Sequence, residues 1–98
     1  MATTVAKVGD IAPGKMANVR VGGESLVVAN VEGGLYAFSD ICTHIGCSLH
    51  DGRLDGPTVI CPCHGSEFDV TTGAVLRGPA RDPIKTYPVQ IVGDELQL

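Results

Sequence analysis

The sequence predicts an all-β fold, an antiparallel sandwich or barrel, and three observations carry that expectation. Apolar residues alternate with period two, turn residues recur at short intervals, and no long stretch shows helical spacing. Ala17, Val19 and Val21 alternate with Asn18 and Arg20 before the turn Gly22-Gly23. Residues 26–29 form a continuous apolar run that Asn30 and Val31 extend to strand length. Gly33-Gly34 then turns the chain into Leu35-Tyr36-Ala37-Phe38, which reads as a hairpin. Residues 39–57 are poor in strand signals, and loops of that length in compact domains usually serve a site. Thr58, Val59 and Ile60 make a short β-branched strand running into Cys61. Residues 68–70 and 74–76 flank Thr71-Thr72-Gly73 as a second hairpin. Residues 86–92 and 95–98 enclose the turn Gly93-Asp94. Repeats and low-complexity segments are absent, so residues 1–98 are read as one domain.

Composition narrows the function. An apolar share of 44% with 18% charged residues suits one packed core and not a disordered chain. Seven basic against eleven acidic residues leave a formal charge of −4, which argues against a phosphate-binding surface. The acidic balance fits a partner with a basic patch. No segment reaches the eighteen consecutive apolar residues of a membrane helix, and the opening residues lack a secretory pattern. The expectation is a soluble cytoplasmic protein.

The chemistry is concentrated in one stretch. All four cysteines lie between positions 42 and 63, with the three histidines in or beside the same segment. A disulfide scaffold spreads its bridges through a domain, whereas cysteine clustered beside histidine favours metal. Cys42-Thr43-His44-Ile45-Gly46-Cys47 and Cys61-Pro62-Cys63-His64-Gly65-Ser66 contain C-x-H and C-x-x-H separated by sixteen residues. Each loop therefore offers a thiolate and an imidazole, and two facing loops can supply two of each. A structural zinc module also takes two cysteines and two histidines, although zinc knuckles more often begin with C-x-x-C. A thiol switch built on Cys61 with Cys63, or on Cys47, leaves both histidines unexplained.

These loops, with Phe68-Asp69-Val70-Thr71-Thr72-Gly73 and Lys85-Thr86-Tyr87-Pro88-Val89, resemble the Rieske family. The resemblance implies a β-sandwich base, residues 1–38 and 70–98, carrying an inserted cluster-binding subdomain at about residues 39–69. It implies one [2Fe–2S] cluster, with Cys42 and Cys61 on the inner iron and His44 and His64 on the outer one. Gly46 and Gly65 become places where backbone approaches sulfur or turns tightly, with N–H groups aimed at the sulfurs. Gly78-Pro79-Ala80 resembles the family's proline segment over the cluster.

Cys47 and Cys63 match the disulfide of respiratory Rieske proteins, and burial is expected to protect it. Ser66 matches a hydroxyl donor to cluster sulfide, while Phe68 stands where that type carries a tyrosine. Otherwise the chain resembles the ferredoxins of aromatic-ring-hydroxylating dioxygenase systems. The implied function is one-electron transfer, without catalysis of its own, from a flavin-containing reductase to a terminal oxygenase. A small Rieske subunit of a nitrite reductase, or of an arsenite- or quinol-oxidising complex, is the alternative. The potential is expected inside the Rieske range, roughly −150 to +300 mV, and to fall as pH rises through the alkaline range. His50 reads as a solvated loop residue, Tyr36, Phe38 and Tyr87 as core, and Glu67 and Asp69 as a solvated strand face.

Overall fold

A computed structural model describes residues 4–44 and 46–98. The strands are β1 (Thr4–Lys7), β2 (Met16–Val21), β3 (Glu24–Val31), β4 (Gly34–Ser39), β5 (Arg53–Asp55) and β6 (Thr58–Ile60). They continue as β7 (Glu67–Asp69), β8 (Val75–Arg77), β9 (Thr86–Tyr87), β10 (Gln90–Val92) and β11 (Glu95–Gln97). Among the described residues the only helical turns are short 3-10 segments at Val8–Asp10 and Leu49–Asp51. All strand pairings are antiparallel, in keeping with the short turns that join most consecutive strands.

Three sheets result, with strand orders β1-β11-β10, β2-β3-β4-β9 and β5-β6-β7-β8. The second lies between two cores. Val27 and Ala29 of β3 and Phe38 of β4 join a cluster with Leu49, Val59, Phe68 and Val70. Val28 and Ala37, one residue out of phase, join Ile11 and Leu96 on the other face. A strand covered on both faces needs apolar residues at every position, which explains the unbroken run within β3.

Turn chemistry sets the register. Val21 pairs with Glu24 around Gly22-Gly23, whose φ values of 58° and 85° suit the paired left-handed residues of a type I′ hairpin. The next hairpin closes one residue earlier than expected, on Glu32-Gly33, with Gly34 already in β4. Glu32 adopts φ 51°, and the Gly33 N–H donates to Asn30 Oδ1 at 2.8 Å.

Other elements depart from expectation for physical reasons. Residues 86–92 form two strands, because Pro88 lacks an N–H and the chain changes sheets there. β9 pairs with β4, whereas β10 pairs with β11. β5 lies inside the stretch read as strand-poor; only Leu54 in it is apolar, and pairing with β6 creates the strand. β1 lacks a local signal and forms against β11. The second hairpin closes with β8 at Val75–Arg77, so the third sheet extends past residue 69.

Candidate functional site

The two cysteine loops share one backbone design. In the first, Cys42 N–H donates to Cys47 O at 2.9 Å and Gly46 N–H donates to Cys42 O at 2.9 Å. In the second, Cys61 N–H donates to Ser66 O at 2.8 Å and Gly65 N–H donates to Cys61 O at 3.2 Å. Gly46 and Gly65 hold φ of 78° and 76°, and a Cβ on either meets nothing within 4 Å. Both glycines therefore serve the left-handed turn. Their N–H groups serve the cysteine carbonyls, which closes each loop on its own cysteine.

Each loop stands on a stem of its own. Leu49 N–H donates to Asp40 O at 2.7 Å, and Ile41 bridges to Ser48, continuing the pairing below Cys42. Below Cys61, β6 and β7 pair Ile60 with Glu67 and Val59 with Phe68. The Cys47–Cys63 disulfide joins the loops across a Cα separation of 6.5 Å, inside the range such bonds occupy. Its setting corrects the sequence reading: Cys47 is half-buried against the core but Cys63 is exposed, so packing covers only one end of the bridge.

The four candidate ligands divide into two pairs. Cys42 and Cys61, 1% and 3% exposed, belong to the main core beside Leu49 and Phe68. His44 and His64 are exposed, with ring centroids 5.1 Å apart in an edge-to-face arrangement. Thiols inside and imidazoles outside suit a binuclear iron–sulfur cluster whose two ends have different ligands. A tetrahedral zinc needs four donors on one point. Among the described residues no group of three or more Cys, His, Asp or Glu is arranged to hold one metal ion.

A strap formed by residues 78–82 ties both loops. Ala80, buried, donates its N–H to Ser66 Oγ at 3.0 Å, and Thr43 Oγ1 donates to Asp82 O at 2.7 Å. Pro79 and His44 line one depression of about 370 Å³ with Thr43, Arg81 and Asp82. Ser66 is fully buried and accepts the Ala80 N–H, which leaves its own proton available to another acceptor. Phe68 is also fully buried, in the same core as both candidate cysteine ligands.

Three polar residues depart from their sequence reading. His50 is not simply solvated: its Nδ1 lies 2.8 Å from Oδ2 of Asp40, whose side chain is 2% exposed. Asp40 itself escaped the sequence reading, because its partners Ser25 and His50 are remote in sequence. Asp69 builds a turn, its Oδ1 accepting from Thr71 N–H at 2.9 Å and Thr71 O–H at 2.6 Å. Glu67 is half-buried, with Arg77 at 3.7 Å. Phe38 is core as expected, with Tyr36 and Tyr87 packed against the two clusters.

Comparison with known proteins agrees with this geometry. Residues 1–88 match the model of the Rieske [2Fe-2S] domain. The ferredoxin component of the naphthalene 1,2-dioxygenase system of Pseudomonas putida is 44% identical over 82 residues, 84% of this chain and 79% of that protein. The solved Sphingomonas yanoikuyae B1 ferredoxin superposes with a TM-score of 0.93 at 35% identity, covering 98% of this chain and 95% of that one. A chain from a complex of reduced oxygenase and oxidized ferredoxin in carbazole 1,9a-dioxygenase gives 0.93 at 36% identity, covering 98% and 90%. With its two loops, divided donor set and closely similar solved relatives, the chain belongs to the Rieske [2Fe-2S] domain family, whose cofactor is a [2Fe–2S] cluster.

Proposed function

We propose that the chain is a one-electron carrier, taking electrons from a flavin-containing reductase and passing them to a terminal ring-hydroxylating oxygenase. It serves as the electron-transfer component of such a system and not as its catalyst. The observation that carries this reading is the division of donors, with cysteines buried and histidines paired at the surface. In this reading Cys42 and Cys61 hold the inner iron, and His44 and His64 the outer iron. When bound, the cluster supplies a reversible one-electron couple. The buried cysteine side keeps water from the inner end, while the exposed imidazoles bring the outer end to a docking partner. Ser66, its oxygen already accepting from Ala80, directs its proton toward a cluster sulfur, and Pro79 covers the edge beside His44. The cluster-bearing unit is the third sheet with both loops and the strap, mounted on the other two sheets.

Reconstituted protein should show the visible and electron paramagnetic resonance spectra of a Rieske centre. It should also restore turnover when mixed with a ferredoxin reductase and a ring-hydroxylating oxygenase. Spectra of a metal-free or zinc-loaded protein would refute the reading. Among the described residues no helix is long and apolar enough to cross a membrane, and we propose a cytoplasmic site of action, checked by cell fractionation. The inter-loop disulfide favours a second reading, a small Rieske subunit of a larger oxidoreductase. Purification from the native host separates the two, since a subunit would emerge with a large partner and a carrier alone.

A further inference from the structure

Two residues before Cys42, the chain buries a carboxylate. Asp40 is 1% exposed and accepts three hydrogen bonds: from His50 N–H to Oδ1, from Ser25 Oγ to Oδ2 and from His50 Nδ1 to Oδ2, each 2.8 Å. Ser25 Oγ also accepts from Asn18 Nδ2 at 2.8 Å, and its own proton remains to donate to Asp40. The His50 N–H is a fixed donor, and with the Nδ1–H tautomer of His50 all three bonds run into the carboxyl group, the arrangement that suits a carboxylate. The backbone of Asp40 joins the same staple, donating to Ser25 O at 3.1 Å and accepting from Leu49 N–H at 2.7 Å.

The three segments so joined are β3 of the second sheet, the strand entering the first loop and the 3-10 turn leaving it. On this side the units meet across an open polar groove of about 720 Å³, lined by Asn18, Ser25, Ser39, Ser48 and His50 among others. Polar contacts hold the first loop on this side, while Cys42 and Leu49 anchor it in the main core on the other. Two extended residues span at most about 7 Å, so the Asp40 backbone lies within that distance of the Cys42 backbone. A charge on this largely buried carboxyl group, so near the site in the chain, is less screened by solvent and salt than one on an exposed side chain.

Building on the electron-carrier reading above, we propose that Asp40 is a positioning residue of the cluster site. Its buried carboxylate staples the first loop to the second sheet and holds the reduction potential down. The sign follows from charge, since adding an electron beside a fixed negative group is disfavoured.

Asp40→Asn is the sharp test because it removes the charge and can keep the bonds. The amide oxygen takes the His50 N–H, and the amide nitrogen donates to Ser25 Oγ and to His50 Nδ1 after a change of tautomer. Protein-film voltammetry should show the variant with wild-type iron content and spectrum but a higher potential. An unchanged or lower potential in a fully loaded variant overturns the proposal. Should Asp40→Asn fail to fold, Ser25→Ala removes one donor that offsets the charge while leaving the carboxylate. Its potential should then fall, and an unchanged value overturns the proposal. The wild type is the control: a wild type without a reversible one-electron wave refutes the carrier reading itself, whereas a normal wild-type wave with unshifted variants refutes only the role of Asp40.

Discussion

The first and second cysteine loops have the same backbone and opposite foundations. Both close with a cysteine N–H bonded five residues on and a left-handed glycine bonded back to the cysteine carbonyl. The second stands on a regular ladder whose inward residues, Val59 and Phe68, are fully buried. The first stands on a single bridge, Leu49 and the Asp40 carboxylate. Both stems enter the same core, but the first adds a satisfied polar network where the second has a regular ladder. The polar version costs desolvation of a charge, but it places that charge beside the site.

The ligands should not feel this difference. His44→Ala and His64→Ala are each expected to abolish the cluster, read as loss of iron and of the Rieske spectrum, because each removes one of the four proposed ligands. A variant that keeps both signals excludes its residue from the ligand set.

Stability should separate the stems. Phe68→Ala is expected to cost about 3–5 kcal/mol in denaturant unfolding, the usual toll for emptying an aromatic core position. Ser25→Ala, removing one hydrogen bond of the polar stem, should cost about 0.5–1.5 kcal/mol. Equal costs would erase the contrast between apolar and polar foundations.

The disulfide ties the two stems together. Replacing Cys47 and Cys63 by serine should remove about 3 kcal/mol from the metal-free protein, given a sequence separation of 16 residues. The loaded protein should lose less, since the cluster already joins the loops. Thiol labelling of the unfolded, metal-free, unreduced chain should find two thiols; four would mean the bridge does not form. Because Cys63 is exposed, a small dithiol should reduce the bridge without global unfolding.

Phe68→Tyr probes the second loop from its core side. A hydroxyl reaching cluster sulfur stabilises the more negative reduced state and should raise the potential by on the order of 40 mV, taking about 1 kcal/mol per hydrogen bond. No rise would show that the buried ring does not aim at the cluster.

The smallest effect belongs to Tyr87 of β9, on the groove beside the first loop's stem. Burial, then the hydrogen bond to Glu24 and its negative charge, raise the Tyr87 phenol above the usual 10.0. As pH rises past that value the unfolded chain ionises first, so stability present below it is lost as pH climbs through the folded value. Tyr87→Phe should flatten that alkaline decline in thermal unfolding.

The sequence by itself determined the all-β class, most strand positions, the two loops and, through family resemblance, the proposed ligands and the loop disulfide. Those features are written locally: alternation marks strands, Gly22-Gly23 marks a turn, and Cys-x-His needs only near neighbours. Tertiary structure alone decided that β5 is a strand, that the chain changes sheets at Pro88, and that the Cys63 end of the bridge faces water. It alone decided that Asp40 is buried while His50 leans on it. Pairing and burial depend on what arrives from elsewhere in the chain. Asp40 meets Ser25 from fifteen residues upstream and His50 from ten residues downstream, and no local pattern announces either.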